Sequence, residues 1–369
     1  MYERWTVGDQ PNNVPATTPY LATDGLTNGE LAFHYLPPQD TNTPYILFVH
    51  GWNLEPWEKD RFAESAFKRL YWQGYQGRFG EFRWPTTYHV SIGNTLVDDA
   101  VLAAIYDPGE YNAWNSSDGL LNLLTALHVT YGNNVYVLAH SMGNVVVGEA
   151  LRKAAQQGFG QLVNTYVASQ AAVPGNCYDS TLSGGDLLDF GPAGFYGPTT
   201  ANIYNDWLAT NNAAAGARIN FYNTNDYALS SGVWQLDEKV KQDSIVGINP
   251  PYGYSGSPND NPPLQDGFYS TVFLLPHTLY LGNKNTLQDR YEITAFAAEP
   301  RSLALGSTPD VHTMPDVDLT RIVNPIWPRD STGKNYGQHF WHSAEFEGDY
   351  PQQQGYWGEL LSPEAFNLK

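Results

Sequence analysis

The chain has 369 residues, 42% of them hydrophobic, so it can bury a large core and is long enough for one large domain or two modest ones. Its formal net charge of −19 argues against nucleic acid as a ligand, because 19 Lys and Arg residues are too few to neutralise many phosphates. The single cysteine, Cys177, excludes an intramolecular disulfide.

The N-terminal segment, residues 1–27, is rich in Pro, Asn, Thr and Gly without sustained periodicity, which predicts an extended arm. Its first letters, MYERWTVGDQPNN, show neither a basic start nor an apolar run, so we expect no signal peptide in this form, and the compartment stays open. The longest apolar stretch, 267–281, is shorter than the ~20 residues that span a bilayer. No transmembrane segment is therefore expected.

Strand and helix signals alternate along the next two hundred residues. Apolar runs of strand length lie at 30–36, 44–51, 79–85, 134–139, 162–169 and 218–223. Apolar spacings of three and four predict helices at 57–75, 120–127, 143–157 and, further on, 289–305. This alternation predicts an α/β fold with a mostly parallel central sheet and helices on both faces.

Two long irregular segments interrupt this alternation, at about 174–216 and 229–285. Loops of such length inside a compact domain are usually functional lids or disordered insertions. We therefore predict one α/β domain over 28–369 with two cap-like or lid-like insertions. Large apolar side chains of the first insertion either line an acyl pocket or pack against the sheet edge: Phe190, Phe195, Tyr196, Tyr204, Trp207 and Leu208.

Ser141 lies in an Ala-His-Ser-Met-Gly turn between a strand signal and a helix signal. A sharp strand-to-helix turn requires small residues two positions before and after its apex, and here these are Ala139 and Gly143. Such a turn places a helix N-terminus beneath the serine, where N–H groups favour a developing oxyanion. Matches of this kind also arise by chance, and Ser141 is then a turn residue or helix cap.

A second motif, the apolar strand YILFVHGWN, ends in His50-Gly51 about ninety residues before the serine. Together the two motifs resemble the α/β-hydrolase superfamily, in particular its lipase and esterase branch. The resemblance implies the α/β-hydrolase fold, with Ser141 as the nucleophile. It also implies that His50 is structural and that His140 is not the general base.

In that family the oxyanion hole is built from backbone N–H groups. Carried over to this chain, the donors are Met142, which follows the serine, and Trp52, in the loop after the first motif. Asn53 is the alternative for the second donor.

The acid and the histidine follow the serine in this family's chain order. The resemblance places the acid after the strand at 218–223, where Asp226 is the first choice. Two weaker alternatives lie in a charged stretch typical of a solvated helix, and two precede the expected strand. They are Asp237, Asp243, Asp186 and Asp189.

Four histidines follow Asp226. His342 is preferred because it begins the sequence HSAEF, expected as a loop similar to the family's histidine loop near the C-terminus. His339 is its main alternative. His277 lies in an apolar stretch and His312 in a Pro-rich turn, which favour core and loop roles.

The resemblance thus implies a Ser141–Asp226–His342 catalytic triad that cleaves carboxylic esters of small molecules, lipids or polymers through an acyl-enzyme intermediate. An amidase or an acyltransferase would use the same triad, and a non-catalytic binding module is the alternative from a different class. No cofactor or metal is expected, because the sequence has no Walker loop, dinucleotide fingerprint or Cys/His ligand cluster.

Overall fold

The computed structural model describes residues 2–8, 15–21, 42–88, 95–173, 175, 178–179, 214–224, 226–230, 304–322, 340–347 and 350–368. These ranges contain eight strands: β1 (Tyr2–Thr6), β2 (Tyr20–Leu21), β3 (Tyr45–Val49), β4 (Arg78–Arg83), β5 (Val135–His140), β6 (Val163–Ser169), β7 (Ala215–Tyr222) and β8 (Asp316–Asp318). They also contain the α-helices α1 (Pro56–Trp72), α2 (Thr95–Tyr131), α3 (Gly143–Gln156), α4 (Tyr227–Ser230), α5 (Phe340–Glu347) and α6 (Tyr350–Leu360). Short 3-10 helices cover Gly132–Asn134, Leu305–Ser307 and Leu319–Arg321.

All eight strands form one sheet in the order β2-β1-β4-β3-β5-β6-β7-β8. Seven strands run parallel, and only the edge strand β2 pairs antiparallel. The chain moves from β3 outward to β4, then crosses to β5 on the other side of β3. The strand order therefore reverses between β3 and β5, where open α/β sheets bind ligands at the carboxyl ends of their strands.

Both faces of the sheet are covered. Leu47 and Val137 belong to the core shared with α2 and α3, whereas Ile46 and Leu138 belong to the core shared with α1, α5 and α6. Burial on both faces explains why β3 and β5 are continuous apolar runs rather than alternating ones. The predicted α/β class, a mostly parallel sheet between two helical layers, is confirmed.

The helix predicted at 120–127 is only the last part of α2, which has 37 residues. The first part of this helix is not apparent in the sequence, because it contains residues that usually end helices: Asp107-Pro108-Gly109 and Asn115-Ser116-Ser117. The hydroxyl of Ser116 donates to the Asn112 carbonyl oxygen at 2.6 Å, so this polar group is satisfied inside the helix. No helix of the described ranges combines the length and apolar character needed to cross a bilayer.

Part of the segment expected as an extended arm is a strand of the sheet. Residues 2–6 form β1, which pairs with β4 along its whole length. Trp5 is buried, and its indole N–H donates to the Tyr45 hydroxyl at 3.0 Å. The Pro- and Asn-rich letters after residue 8 dominate the composition and hide this short strand. The strand predicted at 30–36, nearly all of the helix predicted at 289–305 and most of both insertions lie outside the described residues.

Glu81, on β4, is a buried carboxyl in the layer between the sheet and α1. The Tyr2 hydroxyl donates to its Oε2 at 2.7 Å. Burial raises the pKa of Glu81 to about 8; the charge of Asp60 adds to the rise, and the Tyr2 hydrogen bond and the charges of Arg83 and Arg4 oppose it. The side chain is therefore held protonated well above the ordinary range of a carboxylic acid.

This raised pKa predicts that Glu81 stabilises the fold less at pH 8 than at pH 4.5. A folded-state pKa above the ordinary value of 4.5 means that the contribution is complete below pH 4.5 and is lost as the pH rises towards 8. Glu81→Gln keeps an acceptor for Tyr2 but cannot ionise. We expect its free energy of unfolding, relative to the natural protein, to increase by about 3 kcal/mol between these pH values.

Urea unfolding of the two proteins at both pH values measures this difference. The matched control is Glu64→Gln, because Glu64 forms a surface ion pair with Lys68 at 3.3 Å. Its relative stability should change by less than about 1 kcal/mol over the same range. A Glu81→Gln difference as small as that of the control would contradict the prediction.

Candidate active site

The two sequence motifs meet at the reversal point of the strand order. His50 and Gly51 follow β3, and Ser141 follows β5 on the neighbouring strand. A Cβ atom added to Gly51 would lie only 2.9 Å from the Ser141 Cβ. Glycine at position 51 is therefore what allows the loop after β3 to lie against the serine.

Ser141 has the strained backbone expected at the apex of a strand-to-helix turn. Its φ of 54° is left-handed, which is costly for a residue with a Cβ, and the residue is 7% exposed. A Cβ on Gly143 would lie 2.5 Å from the His50 carbonyl oxygen. Glycine is thus required at position 143, two residues after the serine, because the start of the helix crosses directly over the end of β3.

Hydrogen bonds from the neighbouring strand fix this turn. The Ser141 N–H donates to the Ser169 carbonyl oxygen at 3.0 Å, and the Ala172 N–H donates to the Ser141 carbonyl oxygen at 3.2 Å. The buried side chain of Asn144 adds a third bond, because its Nδ2 donates to the Ser141 carbonyl oxygen at 2.8 Å. Its Oδ1 accepts the Tyr166 hydroxyl at 2.8 Å. Sequence reasoning missed Asn144, although a polar residue among the apolar letters of the helix start was a signal.

The structure brings Asp226 and His342 together across 116 residues of chain. His342 Nδ1 lies 2.6 Å from Asp226 Oδ2. Asp226 is fully buried just after β7, and its Oδ1 accepts the Leu229 N–H at 3.2 Å. A carboxylate only accepts, so Nδ1 carries the hydrogen and Nε2 of the neutral imidazole is left as the proton acceptor.

His342 lies within helix α5, so the prediction that it begins a loop is wrong. Phe346, one turn further on, packs against the sheet, and its ring centroid lies 5.3 Å from that of Phe48 of β3. This packing orders the segment as a helix with His342 on its partly buried side, 13% exposed.

Of the alternative histidines, His312 is described and forms a separate pair. Its Nδ1 lies 2.9 Å from Asp179 Oδ2, and its side chain is 71% exposed. His339 and His277 lie outside the described residues, as do the alternative acids: Asp186, Asp189, Asp237 and Asp243.

His140, next to the serine, is buried behind His342. Its Nε2 donates to the His342 carbonyl oxygen at 2.6 Å, and the two rings lie 4.8 Å apart. Burial lowers the pKa of His140 well below its ordinary value, and the proximity of His342 adds to this. His140 is therefore a neutral residue that supports helix α5.

Glu345, one turn after His342, is a second carboxyl near Asp226. It is fully buried, and neither oxygen has a hydrogen-bond partner within the described ranges. Burial raises its pKa well above the ordinary value; the charge of Asp226 adds to this effect, and Arg69 opposes it. Glu345 is thus held protonated and adds no negative charge beside His342. Nothing in the letters around position 345 pointed to this role.

The loop after β3 is braced by His50. The ring of His50 stacks on Trp84, and its Nε2 accepts the Trp84 backbone N–H at 3.2 Å. Its Nδ1 donates to the Gly51 carbonyl oxygen at 2.8 Å. Burial lowers the pKa of His50 well below its ordinary value, and the charge of Lys59 adds to the fall. His50 is accordingly a neutral, hydrogen-bonded residue inside the fold, as the resemblance implies.

The candidate oxyanion donors lie on both sides of Ser141. Met142 is buried at the start of α3, where backbone N–H groups have no acceptor within the helix. The Trp52 indole donates to Thr87 Oγ1 at 2.7 Å, which fixes this residue in the loop. The Asn53 N–H donates to Thr86 Oγ1 at 3.2 Å. This bond engages the N–H of Asn53, the alternative second donor.

Comparison with protein families agrees with this geometry. A family model described as an alpha/beta hydrolase of unknown function matches residues 36–171, which include both motifs around His50 and Ser141. This match and the parallel sheet assign the core of the chain to the α/β-hydrolase fold. No curated protein gives a significant match. In the described part of the chain, no group of three or more His, Cys, Asp or Glu side chains is arranged to hold a metal ion.

The elbow geometry predicts that Asn144→Asp destabilises the protein. The substitution preserves shape but replaces an amide donor with a carboxyl group that faces the Ser141 carbonyl oxygen. We expect the free energy of unfolding at neutral pH to fall by about 2 kcal/mol or more, because buried acceptors lose their donor. Asn164→Asp is the control, since Asn164 Oδ1 accepts the Thr165 hydroxyl at 2.9 Å and a carboxylate can do the same. Equal losses in denaturant unfolding would contradict the role of Asn144.

Proposed function

We propose that this chain is a serine hydrolase that cleaves carboxylic esters through an acyl-enzyme intermediate. The observation that carries the proposal is the 2.6 Å contact between His342 Nδ1 and Asp226 Oδ2, because His342 also packs on His140, the residue that precedes the strained Ser141. A serine hydroxyl needs a neighbouring base, and an imidazole base needs a carboxylate to fix its tautomer and orientation. Both requirements have candidates at the same edge of the sheet.

In the proposed mechanism Ser141 Oγ attacks the ester carbonyl carbon while His342 Nε2 accepts the serine proton. Asp226 holds the imidazole and stabilises the imidazolium that forms. The N–H groups of Met142 and Trp52 bind the oxyanion of the tetrahedral intermediate. Its collapse breaks the carbonyl carbon–oxygen bond, and the departing alcohol takes the proton from His342.

Hydrolysis of the acyl-enzyme completes the cycle. His342 accepts a proton from water as the water oxygen attacks the acyl carbon, and the same oxyanion donors act a second time. The proton then returns to Ser141 as the carboxylic acid leaves. Amide hydrolysis and acyl transfer use the same residues and differ in leaving group or acceptor, so substrate assays decide between them.

The first prediction of this proposal concerns Ser141. A fluorophosphonate reacts covalently with a serine activated by a base and an oxyanion hole, so the natural protein should gain one adduct by intact mass. Ser141→Ala should gain none and should lose ester hydrolysis by on the order of a thousand-fold. The absence of an adduct on the natural, folded protein would overturn the proposal and favour a non-catalytic module.

The second prediction separates the two histidine–aspartate pairs. His342→Gln should abolish fluorophosphonate labelling and ester hydrolysis, because no base remains for the Ser141 proton. His312→Gln is a matched control: it removes an imidazole bound to Asp179 at 2.9 Å, but one that is largely exposed. It should leave both measurements near those of the natural protein. The reverse pattern would show that His342 is not the base.

A further inference from the structure

We propose that Gln170 is a positioning residue that holds the Asp226 carboxylate in the orientation in which it binds His342. This inference rests on the proposed function, because it assigns a role within the same site. Neither the nucleophile motif nor the order of acid and histidine in the sequence points to Gln170.

The contact that carries the inference joins Gln170 directly to the acid. Gln170 is fully buried just beyond β6, and its Nε2 donates to Asp226 Oδ2 at 2.7 Å. The same oxygen accepts from His342 Nδ1 at 2.6 Å. Two donors on Oδ2 and the Leu229 N–H on Oδ1 define the plane of the carboxylate, and thereby the direction from which the imidazole is held.

The backbone of Gln170 is held in a costly conformation. Its φ of 42° is left-handed, and such a conformation persists in a non-glycine residue only where the surroundings enforce it. The Gln170 N–H donates to the Phe221 carbonyl oxygen at 2.8 Å, which ties the end of β6 to the end of β7. This conformation thus belongs to the arrangement in which the side chain meets Asp226.

Gly306 joins the segments that follow β6 and β7 through backbone hydrogen bonds. A Cβ there would lie 2.0 Å from the Ala171 nitrogen and 2.1 Å from the Gln170 carbonyl carbon, so only glycine fits. Its N–H donates to the Ala171 carbonyl oxygen at 2.9 Å, and its carbonyl oxygen accepts the Asn223 N–H at 2.8 Å. The Asn223 carbonyl oxygen in turn accepts the Asp226 N–H at 3.0 Å. Gln170 and Asp226 are therefore linked through backbone as well as through their side chains.

The charges around Gln170 and Asp226 make the amide of Gln170 an important donor. His140 and Glu345 face His342 and Asp226 and are both held neutral by burial, and Arg69 interacts with Glu345. The carboxylate of Asp226 is then the group whose charge acts on the imidazolium, and the Gln170 amide draws part of that charge towards itself. Without the amide, Asp226 would present more of its negative charge to the His342 ring.

The test replaces Gln170 with Met, which keeps the length of the side chain and removes the donor. We expect kcat for ester hydrolysis to fall by about ten-fold with KM little changed, because the general base is misoriented. The midpoint of the acidic limb of the pH–rate profile should rise by about one unit. A residue that only filled space would leave this midpoint in place, and an unchanged midpoint overturns the inference.

Gln170→Glu is the rescuing variant. Two carboxyl groups at this distance must share a proton, and the shared proton restores a donor to Asp226. Its activity should exceed that of Gln170→Met at neutral pH and should fall at alkaline pH as the proton is lost. Activity no better than that of the Met variant overturns the inference. If Gln170→Met does not fold, the inference is tested by Gln170→Glu alone, whose activity should fall at alkaline pH while that of the natural protein does not.

Ser169→Ala is the matched control. It removes one buried hydrogen bond at the adjacent position, from Ser169 Oγ to the Tyr356 hydroxyl at 2.9 Å, without touching the acid. Its acidic limb should stay where it is in the natural protein, and a shift equal to that of Gln170→Met overturns the inference.

Fluorophosphonate labelling of the natural protein separates the two proposals. An unlabelled natural protein overturns the proposed function and the inference with it. A labelled natural protein whose labelling rate and pH dependence match those of Gln170→Met overturns the inference alone.

Discussion

The close approach of two neighbouring loops is the constraint on which the site depends. Gly51 lies against Ser141, and Gly143 lies against the backbone at the end of β3, so β3 and β5 must end at the same level. Parallel pairing of continuous apolar strands provides this register, and helices on both faces make it rigid. The strain at Ser141 is maintained because the backbone around it has no room to relax.

Burial also controls the charge of the titratable residues around the candidate site. His50, His140 and Glu345 all lie within the fold around the candidate site, and burial favours the neutral form of each. The two histidines have structural roles: His50 braces the loop after β3, and His140 supports the helix that carries His342. The neutral forms matter because a further charge beside Asp226 or His342 would change the balance of the proposed proton transfer.

The sequence predicted what local patterns determine. Apolar runs located β3 to β7, and small residues around Ser141 and the His50-Gly51 pair indicated the two loops that meet. The resemblance pointed to Asp226, which lies just after β7 in the structure. Asp226 and His342 lie in contact, but their catalytic role stays a prediction.

What local patterns could not predict depends on contacts between distant segments. Strand β1 is defined by its pairing with β4, and the first part of α2 is helical although its letters suggest breaks. The helix around His342 is held by Phe346, which packs on Phe48 of the sheet, and neither periodicity nor a C-terminal position reveals this contact. Gln170 and Glu345 were missed for the same reason, since a Gln or Glu carries no signal of its partner until the fold has formed.

The long segment between α4 and Ala304 is connected to the acid at both of its ends. Leu229, in α4, donates its N–H to Asp226 Oδ1, and the chain returns where Leu305 and Gly306 donate to the carbonyl oxygens of Val173 and Ala171. A displacement at either end therefore acts on the strand ends that hold the acid. The acid side of the candidate site is thus where the two described ends of this segment meet the strand ends of the sheet.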